Sequence, residues 1–411
     1  MITFVHTADI HFGMENYGKI DPKTGIHSRL LDFERALNLC IDYAIEQQVD
    51  FFLFCGDAYK TTNPSPTQQK LLLRCFLRLH QAHIPIISII GNHDNPLSFG
   101  KANTLDILGD LPLDGFHIIA KPTILQLNTK HGPLNIVGIP WPNRTNIALN
   151  HAHVAKTASE LTGYISQAVS SIIHNFASQL DPHIPAVLAG HVTVSSGMFS
   201  GSEKRAIYGN DPLLLPSQLS IAPFDYVALG HLHRYQNLNP NGYPAIVYSG
   251  SIERIDFGER KEEKGFCIVR IPKKGAATHE FITLPTRPFL QLEITLTSQG
   301  DQTQQILDAL QKHTIEEAII KIVYHLPPGK KDLVDLTKIE QACTHAMDVV
   351  GIIPIRAAAT REKRVSMKID MDFATLLTSY FDSKPELASK KEQLIEKIML
   401  LQDEQTSLEL E

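Results

Sequence analysis

Residues 84–94 read Ile84-Pro85-Ile86-Ile87-Ser88-Ile89-Ile90-Gly91-Asn92-His93-Asp94, a β-branched apolar run that stops at a cluster of polar groups. A continuous run of this length suits a central parallel strand covered on both faces, and α/β sheets place ligands at the carboxyl ends of such strands. Four more segments share the pattern. Ile2 to His6 leads into Asp9-Ile10-His11, Val49 to Cys55 ends in Gly56-Asp57, Pro185 to Ala189 ends in Gly190-His191, and Tyr226 to Leu229 ends in Gly230-His231-Leu232-His233. The glycines before Asp57, Asn92, His191 and His231 are expected to let the backbone turn sharply off each strand.

Between these strands the apolar residues recur at helical spacing. Leu30, Leu37, Cys40, Ile41, Ala44 and Ile45 predict a helix from Ser28 to about Gln48, and Leu71, Leu72, Cys75, Phe76 and Leu79 predict another over Thr67 to Ala82. The first ninety residues are therefore two βαβ units. Beyond Asp94, short runs at Phe116 to Ala120, Thr123 to Leu127 and Asn135 to Ile139 suggest an antiparallel extension to a mixed sheet. A long amphipathic helix from His153 to about Gln179 precedes the two histidine-ending strands, after which Ala245 to Tyr248, Phe266 to Ile271 and Glu280 to Leu284 close the sheet.

Near Pro285 the texture changes to β-α-β-α-β without ligand-type residues at strand ends, which predicts a small α+β domain. Leu387, Leu394, Ile395, Ile398 and Leu401 then lie among Lys and Glu, predicting an amphipathic C-terminal helix that packs on its own chain or serves a partner. The expected division is 1–284, 285–375 and 376–411. The helix over Thr67 to Ala82 is a candidate dimer contact, with ordinary core as the plainer reading of its apolar face.

A chain of 411 residues is long for one core, which agrees with several domains. A formal net charge of −6 gives no global attraction to a polyanion, so such a partner must be held by a local basic surface or by metal ions. The five cysteines lack CxxC spacing and sit mostly in apolar runs, as reduced thiols in a cytosolic protein do. No secretory segment and no stretch of roughly 20 apolar residues is present, so the expectation is a cytoplasmic protein with no membrane partner.

Seven strand-end residues are good ligands for a borderline-hard metal: Asp9, His11, Asp57, Asn92, His191, His231 and His233. Seven exceed the four of a lone tetrahedral zinc site, and no cysteine takes part, so two divalent ions are expected with Asp57 as the natural bridge. Imidazole, carboxylate and amide oxygen together suit Mn²⁺ or Fe²⁺ and leave Zn²⁺ open; Mn²⁺ is the expectation. Two neighbouring ions are the apparatus of phosphoryl-ester hydrolysis. Singly, a strand-terminal histidine is more often a hydrogen-bonded structural residue. Five such motifs in order, each directly after an apolar strand, are a different matter.

The order of these motifs resembles the calcineurin-like metallophosphoesterase superfamily, and within it the nuclease subunits that work with an SbcC-type ATPase in DNA break repair. Further carriers are His6-Thr7-Ala8-Asp9-Ile10-His11-Phe12-Gly13, Asn63-Pro64-Ser65-Pro66, Ala228-Leu229-Gly230-His231-Leu232-His233 and Tyr248-Ser249-Gly250-Ser251-Ile252-Glu253-Arg254. The resemblance covers about the first 270 residues; the tail agrees only in arrangement. It implies a β-sandwich flanked by helices, a capping domain, and a helix for the ATPase. It also implies one ion on Asp9, His11, Asp57 and His233 and the other on Asp57, Asn92, His191 and His231. His93 is left as general acid, and Asp94 as support behind the ligands. DNA ends or hairpins as substrate, 3′ to 5′ exonuclease and endonuclease action, and a homodimer within a heterotetramer follow from the same resemblance. Two other readings stand beside it: a small-molecule or cyclic-nucleotide phosphodiesterase, and a non-catalytic DNA-end scaffold. The chain departs from many relatives at Lys60, three residues after Asp57, where an acidic residue or histidine is usual. Candidate DNA contacts are Lys60, Arg254 beside the Ser249-Gly250-Ser251 turn, and the basic run Arg356, Arg361, Lys363, Arg364 and Lys368.

Overall fold

The computed structural model describes residues 1–96, 101–142, 158–201, 211–356, 373–382, 387 and 390–408. In chain order, the larger part begins with β1 (Ile2–Thr7), α1 (Ser28–Glu46), β2 (Phe51–Phe54), α2 (Pro66–Gln81) and β3 (Ile86–Ile89). A short α3 (Asp106–Gly109) leads to β4 (Phe116–Ile119), β5 (Thr123–Thr129), β6 (Gly132–Ile139) and the long α4 (Ala158–Gln179). Then come β7 (Ala186–His191), β8 (Thr193–Val194), β9 (Leu213–Leu214), α5 (Pro216–Leu219), β10 (Tyr226–Gly230), β11 (Gln236–Asn237) and β12 (Ala245–Tyr248). The chain continues through β13 (Gly265–Ile271) and β14 (Thr278–Thr283) to β15 (Phe289–Thr295), α6 (Gln302–Leu310), β16 (Ile319–Leu326), α7 (Leu336–Ala342), β17 (Asp348–Arg356), α8 (Phe373–Asp382) and α9 (Lys391–Leu408).

Two six-stranded sheets lie face to face, in the orders β14-β13-β1-β2-β3-β4 and β11-β12-β10-β7-β6-β5. Four strands in each run parallel, and their carboxyl ends carry the predicted polar groups. The period-2 alternation of β1 shows how the layers form. Ile2 and Phe4 face the second sheet, with Phe51, Leu53, Ile87 and Ile89 beside them, opposite Val187, Ala189, Tyr226 and Val247. Val5 points the other way, into the layer capped by α1 and α2. On the far side α4 lays Ile165, Val169 and Ile173 against Val137, Leu188 and Val227.

The partition is the sandwich that the resemblance implied, and of the strands expected as an antiparallel extension β5 pairs antiparallel, with β6, while the others are reassigned. Phe116–Ile119 continues the first sheet in parallel, and β6 and β12 join the second in parallel. β13 then returns to the first sheet, antiparallel to β1. Short apolar runs read alike in either sheet, and only long-range pairing assigns them. Helix α2 starts on a capping box between Ser65 and Gln68 with Pro66 in its first turn, and it buries Leu71, Leu72, Cys75, Phe76 and Leu79. Its apolar face is thus committed to the core and is withdrawn as a dimer contact.

Strands β15, β16 and β17 form a separate parallel sheet on which α6 and α7 pack through Ile306, Leu310 and Ile339. The connection into it is anchored by Arg287, whose guanidinium grips both oxygens of Asp32 on α1 at 2.6 Å and donates to Glu317 at 2.8 Å. Helix α8 falls outside the expected elements; it packs against α9.

His6 sits fully buried between the sheets, where Nε2–H donates to Leu229 O (3.2 Å) and Nδ1 accepts from the Tyr226 hydroxyl (3.1 Å). Burial depresses its pKa from 6.5 to about 3, so the unfolded chain takes up this proton first. The associated stability is complete above pH 6.5 and is lost as pH falls from there toward 3. His6→Gln keeps both hydrogen bonds but cannot titrate. In denaturant melts between pH 7 and 5 the wild type is expected to lose about 2 kcal/mol more than this variant; parallel pH profiles would refute the assignment.

Candidate metal centre

The loops leaving β1 and β2 run side by side, laced by Asp9 N–H to Gly56 O (2.9 Å) and His11 N–H to Asp57 O (3.0 Å). Asp94 ties the loops after β2 and β3, its carboxylate accepting from the backbone N–H groups of Asp57 (2.8 Å), Ala58 (3.0 Å) and Gly91 (3.1 Å). Across the sandwich, Asp9 accepts from His231 N–H at 3.0 Å. All seven predicted residues are thereby drawn to one place, with Asp9, His11, Asp57, His191, His231 and His233 buried.

Backbone strain falls on these residues themselves. Asp9, His11, Asp57 and His231 all have positive φ, at 54°, 50°, 60° and 99°. Each costs about 1–2 kcal/mol, a cost that surrounding structure sustains mainly at functional sites. The expected role of the preceding glycines is corrected accordingly. Only Gly56 turns the chain through a positive φ, of 95°. Gly91 and Gly230 serve close approach instead, because a Cβ on Gly91 would lie 2.1 Å from Asp57 Oδ1, and one on Gly230 2.0 Å from Cys55 O.

The hydrogen bonds behind the histidines fix which nitrogen faces inward. His191 Nδ1–H donates to Cys55 O (2.7 Å) and His233 Nδ1–H to the Glu259 carboxylate (2.9 Å), since a carbonyl or carboxylate only accepts; in both rings Nε2 is therefore the atom turned inward, available to a metal once it carries no proton. His231 turns Nε2 toward Asp211 (3.4 Å), leaving Nδ1 inward. Two groups of acceptors result. Asn92 Oδ1 stands 3.0 Å from His191 Nε2 and 3.1 Å from His231 Nδ1, while His11 Nε2 stands 3.1 Å from His233 Nε2 with Asp9 in the same group. Asp57 Oδ2 lies between them, 3.5 Å from His191 Nε2 and 3.6 Å from His11 Nε2. Carboxylate, imidazole and amide-oxygen atoms gathered this closely are donor types of divalent cations, so the set fits a dinuclear metal site.

Burial and mutual proximity shift the groups of the cluster in opposite directions. Burial pushes Asp9 up to about 7. Burial acts in the same sense on Asp57, but His191, His93 and His11 outweigh it and hold that carboxyl well below its usual range. Against its own burial, His191 is raised to about 9 by Asp57 and Asp9, so that without a metal a proton balances these carboxylates, and metal binding would release it. Burial drives His11 well down and His231 down, which keeps those imidazoles neutral, as metal ligation requires.

His93 is half-buried beside this cluster. Its N–H donates to Asp57 Oδ1 (2.9 Å), its Nδ1–H donates to Lys60 O (2.8 Å), and its ring stands edge-on to His11 at 4.9 Å. It also shares a compact ligand-type group with His11 and Asp57.

Several residues of the site escaped the sequence reading. Glu259 and Asp211 sit behind two histidines, and the carbonyls of Cys55 and Lys60 behind two more. Trp141, the one tryptophan, lies 4.8 Å from the His231 ring at the end of β6. Pro140-Trp141-Pro142 was a sixth strand end of the same kind and carried the only available signal. The guanidinium of Arg254, a candidate DNA contact, donates to Thr286 Oγ1 (2.6 Å), Arg287 O (3.0 Å) and Glu262 O (3.0 Å). Lys264 is turned inward, onto Glu259 and Glu262, because acids on the same stretch are buried and need cations. Arg356 is exposed at the end of β17, whereas Arg361, Lys363, Arg364 and Lys368 lie outside the described residues.

The calcineurin-like phosphoesterase family model matches residues 2–235, more than half of the chain, and the chain belongs to that family. Fold and site thus define a metal-dependent phosphoesterase. Among curated proteins, the chain is similar to the D subunit of the nuclease SbcCD from Staphylococcus epidermidis, with 28% identity over 337 residues covering 78% of this chain and 79% of that protein. Among solved structures it matches a dimetal phosphatase from Danio rerio (TM-score 0.38, 10% identity, 69% of this chain and 98% of that one). It also matches the protein TT1561 of Thermus thermophilus (TM-score 0.34, 12% identity, 64% and 93%). Among the described residues, no helix is long and apolar enough to cross a membrane.

Proposed function

We propose that the chain is a two-metal DNA nuclease that cuts duplex ends or hairpins as a 3′ to 5′ exonuclease and endonuclease, with an SbcC-type ATPase as partner, in DNA repair, replication and recombination. The observation that carries the two-metal reading is the pair of ligand-type groups on either side of Asp57 Oδ2, where Asn92 Oδ1 and inward-facing ring nitrogens stand within 3.1 Å of one another. Asp9, His11, Asp57 and His233 would hold one ion and Asp57, Asn92, His191 and His231 the other, with Mn²⁺ as the proposed metal. When bound, the pair supplies concentrated positive charge against a phosphodiester and acidifies water beside it. The chain's own residues do the rest. The Cys55 and Glu259 acceptors hold imidazoles in the ligating tautomer, and Asp94 holds the β2 and β3 loops in register. His93, steered by Lys60 O, gives a proton to the departing oxygen.

DNA as substrate is supported by the staphylococcal relative, part of a nuclease, whose likeness covers 78% of the chain and so extends past the phosphoesterase match at residues 2–235. In this reading residues 1–284 are the nuclease, 285–375 cap it and present Arg356 with Arg361, Lys363 and Arg364 to the backbone, and 376–411 meet the ATPase. Lys60 faces a DNA phosphate, and two copies pair within a heterotetramer. The test is purified protein with Mn²⁺ on a hairpin-ended duplex and, separately, on cyclic nucleotides. Chelator-sensitive DNA cleavage is expected. Hydrolysis of cyclic nucleotides with DNA intact, or DNA binding without cleavage, would overturn the proposal.

A further inference from the structure

The 3-10 turn Phe257–Glu259 has a different neighbour at each end. Phe257 packs against Phe289 (ring centroids 5.0 Å apart) and Tyr17 (5.4 Å), with the Lys321 ammonium 5.9 Å from its ring and Ile319 buried in the same cluster. Phe289, Ile319 and Lys321 all belong to the β15–β16 sheet. Two residues on, Glu259 is fully buried and accepts from His233 Nδ1–H (2.9 Å), Ile255 N–H (2.9 Å) and Lys264 Nζ (2.8 Å). Lys264 Nζ donates in addition to His233 O at 2.9 Å. One buried ion pair therefore grips His233 at both its ring and its carbonyl. A turn of three residues, capped by Asp256 onto Gly258 N–H at 2.6 Å, has no slack to absorb a shift at Phe257 before Glu259 feels it.

We propose that Glu259 is the positioning residue for His233, and that packing of the Phe289–Arg356 unit on Phe257 sets where Glu259 stands. Seating of that unit thereby governs how tightly the ion of Asp9, His11 and His233 is held. The inference rests on the two-ion reading above, and the test separates the two.

Metal-free full-length protein is titrated with Mn²⁺ and followed by calorimetry and electron paramagnetic resonance. Wild-type protein should bind a pair of ions with a spin-coupled signal; a single ion would overturn the two-ion reading itself. Given a pair, Phe257→Ala and Glu259→Gln should each weaken one equivalent by about 10–100-fold and leave the other unchanged. The coupled signal then gives way to the hyperfine spectrum of an isolated ion at intermediate loading. Glu259→Gln keeps an acceptor for His233 but unbalances Lys264, so the double variant Glu259→Gln/Lys264→Met decides if the single one does not fold. Two tight equivalents in folded Phe257→Ala would overturn the coupling, and two in the Glu259 variants would overturn the positioning role. Equal weakening of both equivalents would overturn both.

Discussion

Asp57→Asn is expected to bind fewer than two Mn²⁺ ions per chain and to lower the DNA cleavage rate by about 10³-fold. Asparagine preserves the Oδ1 contact to His93 N–H, at 2.9 Å, and with it the loop after β3. What it removes is the charge at Oδ2, the atom standing between the two groups of acceptors. In the proposed two-metal reaction, several kcal/mol of charge stabilisation at the phosphoryl group would depend on both cations, which sets the size of the loss. A readout independent of turnover accompanies it. His191 is held at about 9 chiefly by Asp57, so its imidazole proton resonances should titrate well below that pH in the metal-free variant. Full metal loading with wild-type cleavage would remove Asp57 from the bridging position.

His93→Leu should lower cleavage by about 10²–10⁴-fold while metal content stays at the wild-type value. The backbone N–H that reaches Asp57 survives the substitution, and leucine loses only the imidazole that Lys60 O orients. His93 also lies close enough to His11 and Asp57 to contribute a ligand atom, which makes metal stoichiometry the deciding measurement. Loss of one ion would make it a ligand instead of a proton donor. Unchanged cleavage would exclude it from the reaction.

The partners behind the site explain what was legible in the chain and what was not. A strand announces itself over five or six residues, and a polar cluster at its carboxyl end marks where a site forms, so the seven ligand-type residues were legible from the sequence alone. Glu259 and Lys264 were not, because in sequence they sit in Glu259-Arg260-Lys261-Glu262-Glu263-Lys264, a run whose cations, mixed with acids near the Ser249-Gly250-Ser251 turn, suggest contacts to a phosphate backbone. Their burial follows from the adjacent Phe257 docking on Phe289 and from β13 returning to pair with β1, contacts made across long stretches of chain. The engagement of Arg254 was hidden for the same reason: nothing local in a cation next to a glycine turn announces its hydrogen bonds to Thr286 and Arg287.

By itself the sequence determined that parallel strands would bring carboxylates, imidazoles and an amide to their carboxyl ends, since strand periodicity and residue chemistry are local properties. Only the tertiary structure decided which strands belong to which sheet and which nitrogen of each histidine faces inward. It also decided that strain sits on Asp9, His11, Asp57 and His231 more than on the glycines. Those outcomes depend on partners tens to hundreds of residues away, such as Cys55 O for His191 and Glu259 for His233, and no local pattern encodes them.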